Sequence, residues 1–163
     1  MKYYLPTLRF RSIVIAFIYA LCGAGLAAAA PLAAGDSFPL FKGMQDQHEA
    51  PYAMPEGVEH VAVAFTMGVG KSANQALAKQ GADYLPDSNA VFVANIYGMP
   101  AVGRFFAMPK MRKYPHRIML ADAEGLLYDF PQEDDRVTVF DLDASGKIVA
   151  VRYWDPESGE KPF

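Results

Sequence analysis

The run Gly68-Val69-Gly70-Lys71-Ser72 has the composition of an anion-binding turn. A glycine-rich connection between a strand and a helix can present backbone N–H groups to an anion, and Lys71 would add a positive charge. A complete phosphate-binding loop also needs a glycine where this chain has Phe65, so nucleotide hydrolysis is not expected. Two interpretations stay open: a site for a small anionic ligand at Gly68, Gly70, Lys71 and Ser72, or a tight turn in which the glycines adopt positive φ.

The only side chain suited to thiol chemistry is Cys22, which lies in an apolar run from Ile13 to Leu26. Three basic residues precede this run and four alanines, Ala27 to Ala30, follow it. This order predicts a secretory signal peptide over residues 1–29, cleaved near Ala28–Ala30, and a periplasmic or secreted protein with no stable membrane span after cleavage. An uncleaved anchor is the alternative, because the stretch Ser12–Ala34 reaches the roughly 20 apolar residues that a span requires.

Cleavage would leave the folded chain without a thiol. A thiolate is the nucleophile of peroxide reduction and of disulfide exchange, so neither activity is expected. The three histidines, His48, His60 and His116, lie in separate segments without metal-ligand spacing. The run from Asp141 to Gly146 imitates half of a calcium loop, but its twelfth position is Arg152 instead of glutamate. No catalytic residue, metal or cofactor is therefore expected.

The charge balance argues against nucleic acid as a partner. The chain has 15 basic and 18 acidic side chains, and the predicted signal peptide holds three of the basic ones. One later segment is nevertheless basic, and its cations are candidates for binding a partner: Arg104, Lys110, Arg112, Lys113 and Arg117. The alternative is a solvated loop, because runs of charge usually lie at the surface.

The hydrophobic pattern predicts the elements that would position these residues. Almost uniformly apolar runs predict buried strands at His60–Thr66 and Ala90–Ile96, and a helix at Lys71–Gly81 would connect them as a parallel βαβ unit. The pattern then predicts a helix over 100–108 with Val102, Phe105 and Phe106 facing inward, a strand at 116–120, and a hairpin of strands 137–142 and 147–153. The expected architecture is one α/β domain at residues 35–155, followed by a tail at 156–163.

In this order the segments resemble the peroxiredoxin branch of the thioredoxin-like superfamily, the alkyl hydroperoxide reductase and thiol-specific antioxidant group. Four stretches carry the resemblance: Gly35–Phe41 (GDSFPLF), His60–Thr66 (HVAVAFT), Tyr114–Gly125 (YPHRIMLADAEG) and Arg136–Ile148 (RVTVFDLDASGKI). The resemblance implies a three-layer fold around a central mixed sheet, with a C-terminal β-hairpin. The run Pro109–Pro115 (PKMRKYP) is also similar to a group of exported bacterial proteins that lack the family's catalytic cysteines.

The resemblance places the peroxidatic cysteine of that family where this chain has Met67 to Ser72, without a thiol. It places Arg136 where the family has an arginine that steadies the thiolate, a role that lapses here. The sequence thus predicts an exported, cysteine-free domain that binds an unknown protein or a small anionic ligand as a non-catalytic accessory module. The alternative is a redox-related or other enzyme that uses a bound cofactor or an anionic ligand at the Gly68–Ser72 turn, with Arg136 nearby.

Overall fold

The computed structural model describes residues 30–163. The predicted signal peptide and Cys22 lie outside the described residues. Within residues 30–163, no helix is both long enough and apolar enough to cross a membrane.

Six strands and three helices make up the described fold. In chain order they are β1 Gln45–Asp46, β2 His60–Ala64, α1 Met67–Gln80, α2 Tyr84–Asp87, β3 Ala90–Asn95, α3 Ala101–Met111, β4 Met119–Ala121, β5 Val137–Leu142 and β6 Ile148–Trp154. The strands form one sheet in the order β1-β4-β3-β2-β5-β6. Strands β2, β3 and β4 are parallel, whereas β1, β5 and β6 pair antiparallel to their neighbours. The predicted α/β class, mixed sheet, βαβ unit and C-terminal hairpin are confirmed.

The two central strands are almost entirely apolar because both faces of the sheet are covered. Alternate residues of a strand point to opposite faces. On one face, Ala62, Ala64, Phe92 and Ala94 pack with residues of α1 and α2, and the partly buried Met108 and Met111 of α3 join them. On the other face, Val61, Val63, Val91 and Val93 pack against an aromatic cluster of Phe38, Phe41, Phe130 and Phe140. The sheet therefore lies between a helical layer and a layer built from non-helical segments.

Helix α1 begins at Met67, four residues before the predicted start. Thr66 has extended backbone with φ −115°, and its Oγ1 accepts a hydrogen bond from the N–H of Val69 at 3.3 Å. This side chain satisfies one of the free N–H groups of the first turn, so the helix begins directly after it. Gly68 and Gly70 lie inside the helix and neither has positive φ. The interpretation of these glycines as a positive-φ turn was wrong, whereas the predicted stop at Gly81, with φ 103°, is confirmed.

Helix α3 faces the opposite way from the prediction. Val102, Phe105 and Phe106, expected to point inward, are 66%, 74% and 62% exposed. The side of the helix that meets the core carries Met108 and Met111 instead, and no residue of α3 is fully buried. The spacing of apolar residues indicates that a helix has an apolar face, but it does not say whether the protein covers that face.

Candidate functional site

A cleft of about 500 Å³ opens at the N-terminus of α1. Three segments line it: Gly68, Val69 and Ser72 from α1, Asp134, Asp135 and Arg136 from the segment before β5, and Asp155, Pro156 and Glu157 from the turn after β6. The structure thus brings Gly68, Ser72 and Arg136 together, as the anion-site hypothesis requires. Gly70 and Lys71 do not line the cleft: Gly70 is buried, and Lys71 is exposed to solvent.

The charges around this cleft are mainly negative. Four carboxylates line it, those of Asp134, Asp135, Asp155 and Glu157, against the single guanidinium of Arg136. The Nε of Arg136 lies 3.3 Å from a carboxylate oxygen of Glu133, so part of its charge is compensated. The partial positive charge at the N-terminus of a helix favours anions, but the carboxylates oppose it. The anion site remains a prediction, and the charge balance of the cleft weighs against it.

The cleft holds no arrangement for nucleophilic catalysis among the residues that line it. The hydroxyl of Ser72 donates a hydrogen bond to Glu157 at 3.0 Å, and no histidine lines the cleft. The first helical residue, Met67, is 65% exposed, but a thioether cannot ionise to a nucleophile as a thiol does. Within residues 30–163, no group of His, Cys, Asp and Glu side chains is arranged to hold a metal ion.

The three arginines of the basic segment are fixed by contacts within the chain. Arg104 forms an ion pair with Asp122, and its Nη2 also donates to the carbonyl of Ile96 at 3.2 Å. Arg112 pairs with Glu49 at 2.5 Å and donates from Nε to the carbonyl of Gln47 at 2.9 Å. These arginines fasten α3 and the segment after it to neighbouring loops.

Arg117 is held by Asp46 on the neighbouring edge strand. Its Nη2 lies 2.8 Å from the Asp46 carboxylate, and its guanidinium lies 3.9 Å from the centre of the Tyr52 ring. Burial raises the pKa of Asp46, but hydrogen bonds from the N–H of His48, from Arg117 and from the N–H of Ala50 outweigh it, so the pKa is lowered. Of the five candidate cations, Lys110 and Lys113 alone are exposed with no ion pair among the residues that the structure describes.

Three buried polar side chains, Gln47, Asn74 and His116, form a network that the sequence did not predict. The Gln47 amide donates to the carbonyl of His116 at 2.8 Å and accepts from the N–H of Ile118 at 2.9 Å. It occupies the place of a strand partner, which explains why β4 begins at Met119 and not at the predicted residue 116. The Asn74 amide donates to the carbonyl of Gly70 at 2.7 Å, so the network reaches the first turns of α1.

His116 is 2% exposed, and its Nδ1 has no hydrogen-bond partner among the described residues. Burial lowers the pKa of His116 to about 4. The imidazole is therefore neutral at physiological pH and contributes to packing, with the Tyr114 ring stacked on it at 5.7 Å. Nothing in the sequence indicated that His116 would be buried, because it lies in a segment rich in basic residues, which usually lies at the surface.

Comparison with solved structures shows that the fold is thioredoxin-like. The chain is similar to the thioredoxin domain of a thiol-disulfide oxidoreductase from Bacteroides vulgatus, with a TM-score of 0.53 at 17% identity over 77% of this chain and 92% of that one. It is also similar to a peroxiredoxin-like protein from Aquifex aeolicus, with a TM-score of 0.52 at 10% identity over 78% of this chain and 79% of that one.

A third similar structure is a cysteine-to-serine mutant of PrxQ from Xylella fastidiosa, with a TM-score of 0.52 at 12% identity over 80% of this chain and 92% of that one. Identities this low show a shared fold and nothing about activity. No protein-family model matches the sequence, and no curated protein matches it.

Proposed function

We propose that this chain is an exported accessory module that uses a thioredoxin-like fold for binding and performs no thiol chemistry. The observation that carries the proposal is the composition of residues 30–163, which contain no cysteine. At the start of α1, where the resemblance to peroxiredoxins places the reactive thiol, the chain has the run Met67 to Ser72, which contains no thiol.

The surroundings of that position also favour a non-catalytic role. A reactive thiolate needs a nearby positive charge or a helix N-terminus that lowers its pKa. The helix N-terminus is present, but the cleft beside it is lined by four carboxylates, which would raise the pKa of an acid placed there. The hydroxyl of Ser72 is bonded to Glu157 instead of to a general base that could activate it.

The test is a turnover assay on the protein as the cell produces it, with its processing established by mass spectrometry. Peroxide consumption is measured with dithiothreitol and with thioredoxin plus its reductase as electron donors, and disulfide reduction is measured on insulin. We expect no rate above that of the reductants alone. Turnover in either assay would overturn the proposal.

A second candidate is a ligand-binding enzyme or sensor at the cleft, because Gly68, Ser72 and Arg136 share one lining. Thermal unfolding with phosphate, sulfate, flavin and haem tests it on the wild type and on R136A. K71A is the matched control, because Lys71 lies outside the lining. This candidate would be established if a ligand stabilised the wild type and K71A but not R136A. An unchanged thermal midpoint with all four ligands would rule out a site for these ligands at the cleft.

A further inference from the structure

Helix α3 presents an apolar face that the described part of the protein leaves uncovered. Phe105 and Phe106 are 74% and 62% exposed, Val102 lies one turn before them, and the exposed Pro109 lies one turn after them. This spacing puts all four residues on one side of the helix. The opposite side meets the core through Met108 and Met111. Two exposed phenylalanines on one turn of a short helix are unusual on a protein surface that meets only water.

The charges next to this face are positive. Helix α3 contains no aspartate or glutamate. Lys110 follows Pro109 directly, and Lys113 lies two residues after the helix ends; both are exposed with no ion pair among the described residues. Arg104 and Arg112, by contrast, are neutralised by Asp122 and Glu49. The free positive charge of the segment thus lies beside the exposed apolar side chains.

We propose that this face of α3 docks on an anionic phospholipid surface. Phe105 and Phe106 enter the boundary between headgroups and acyl chains, and Lys110 and Lys113 contact lipid phosphates. This inference rests on the proposed function, since it names the partner of a binding module. The strength with which an amphipathic helix binds a membrane surface rises with the apolar area that it buries and with its electrostatic attraction to anionic lipids. Helix α3 and the two residues after it supply both contributions within thirteen residues, from Ala101 to Lys113.

Charge favours a lipid surface over a second copy of the chain. A second copy would present the same lysines, and α3 offers no carboxylate to pair with them. No residue of α3 lines the cleft at the N-terminus of α1, so the exposed face is separate from that cleft. An exposed apolar helix face with basic neighbours suits a deformable, anionic layer. Acidic side chains outnumber basic ones in the chain as a whole. An anionic lipid surface would therefore repel the other faces of the protein and orient it with α3 towards the lipid.

Co-sedimentation with vesicles tests the proposal on the protein as the cell produces it. Vesicles of phosphatidylcholine are compared with vesicles that also contain phosphatidylglycerol, at low and high salt. The variants are F105S/F106S and K110E/K113E. The matched control is L40S/K42E, which changes an exposed leucine, 72% accessible, and a nearby exposed lysine far along the chain from α3. Unchanged thermal midpoints establish that the variants are folded.

We expect binding that needs phosphatidylglycerol and weakens with salt. K110E/K113E should bind at least about tenfold more weakly, because each basic residue near an anionic surface contributes several-fold to affinity. F105S/F106S should bind at least about tenfold more weakly, because it removes the apolar side chains that insert. L40S/K42E should bind as the wild type does. Equal binding by all four proteins, or no binding to the anionic vesicles, would overturn the proposal. A dimer in sedimentation velocity that F105S/F106S dissociates would also overturn it in favour of a second copy. None of these outcomes bears on peroxide or disulfide turnover, so the proposed function fails or survives separately.

Discussion

The Nε2 of His116 lies 2.9 Å from Oδ1 of Asn74, and both side chains are buried. The Asn74 amide nitrogen already donates to the carbonyl of Gly70, so Oδ1 must accept and Nε2 must carry the hydrogen. Nδ1 is then an unprotonated acceptor, and it has no partner among the described residues. A second proton on this ring would place a charge in the core with nothing to compensate it.

The stability of the protein should therefore fall in mild acid. The pKa of His116 is 6.5 in the unfolded chain and is lowered by burial to about 4 in the folded one, so the unfolded state binds the proton more tightly. The contribution of His116 is complete above pH 6.5 and declines as the pH falls towards 4, by about 3 kcal/mol. Urea unfolding at a series of pH values measures this decline.

H116Q separates this effect from other acid-sensitive groups, because glutamine does not titrate. It should flatten the stability curve between pH 6.5 and 4, whereas H48Q, at an exposed histidine, should keep the wild-type slope. Asp46 and Asp141 have pKa values below the ordinary 3.8, so their contributions are lost only at lower pH. A slope in H116Q equal to that of the wild type would show that His116 is not the titrating group.

Replacing Gln47 should lower the free energy of unfolding several times more than replacing a surface glutamine does. Its amide satisfies the carbonyl of His116 and the N–H of Ile118, and it is 1% exposed. Q47L would leave both backbone groups unpaired in the core, at about 1–3 kcal/mol each. Q45L is the matched control, because the Gln45 side chain is exposed on β1, two residues before Gln47. Equal free energies of unfolding for the two variants would show that water replaces the lost partners without cost.

The sequence predicted the sheet well because its signals there are local. The runs HVAVA and AVFVAN are apolar except at His60 and Asn95, which indicates strands covered on both faces, and Asp143 to Gly146 has turn residues between β-branched arms. The start of α1 was placed too late because Gly68 and Gly70 have poor helix propensity. What overrides that propensity is the cap from Thr66, a single hydrogen bond that no periodicity reveals.

The remaining failures concern contacts between distant parts of the chain. The direction of α3 depends on Arg104 reaching Asp122 and on the methionines that meet the core, and neither can be deduced from the spacing of Val102 and Phe105. His116 and Asn74 are separated by 42 residues, so the burial of that pair is visible only in the fold. The cleft likewise joins Gly68 to Arg136, and the sequence indicated that proximity through a resemblance and not through any local pattern.

Arg104 should act as the anchor of α3. Its guanidinium bonds Asp122 and also donates to the carbonyls of Ile96 and Met99, at 3.2 and 3.4 Å. R104A should speed amide hydrogen exchange in α3 and leave β2 and β3 protected, since those strands are held by their own ladder. K110A is the control on the same helix, because Lys110 is exposed, and it should not change the exchange rates. Uniform exchange in R104A and the wild type would mean that the methionine contacts alone hold the helix.

Phe163 should hold the final segment against the sheet. Its ring is stacked 5.1 Å from His60 and 5.8 Å from Tyr84, and its carbonyl accepts a hydrogen bond from the Tyr84 hydroxyl at 2.8 Å. F163A removes a partly buried ring that stacks on His60 and Tyr84 and packs against the core, so the free energy of unfolding should fall by about 2 kcal/mol.

Y128A is the matched control for F163A, because the Tyr128 ring is 74% exposed and its loss should change stability by less than about 0.5 kcal/mol. Urea unfolding measures both variants. Two other hydrogen bonds also hold residues 156–163 in place. Trp154 donates to the carbonyl of Glu160, and Arg152 donates to the carbonyl of Pro162. If F163A and Y128A had the same free energy of unfolding, those two hydrogen bonds would be sufficient to hold the segment, and the Phe163 ring would not stabilise the fold.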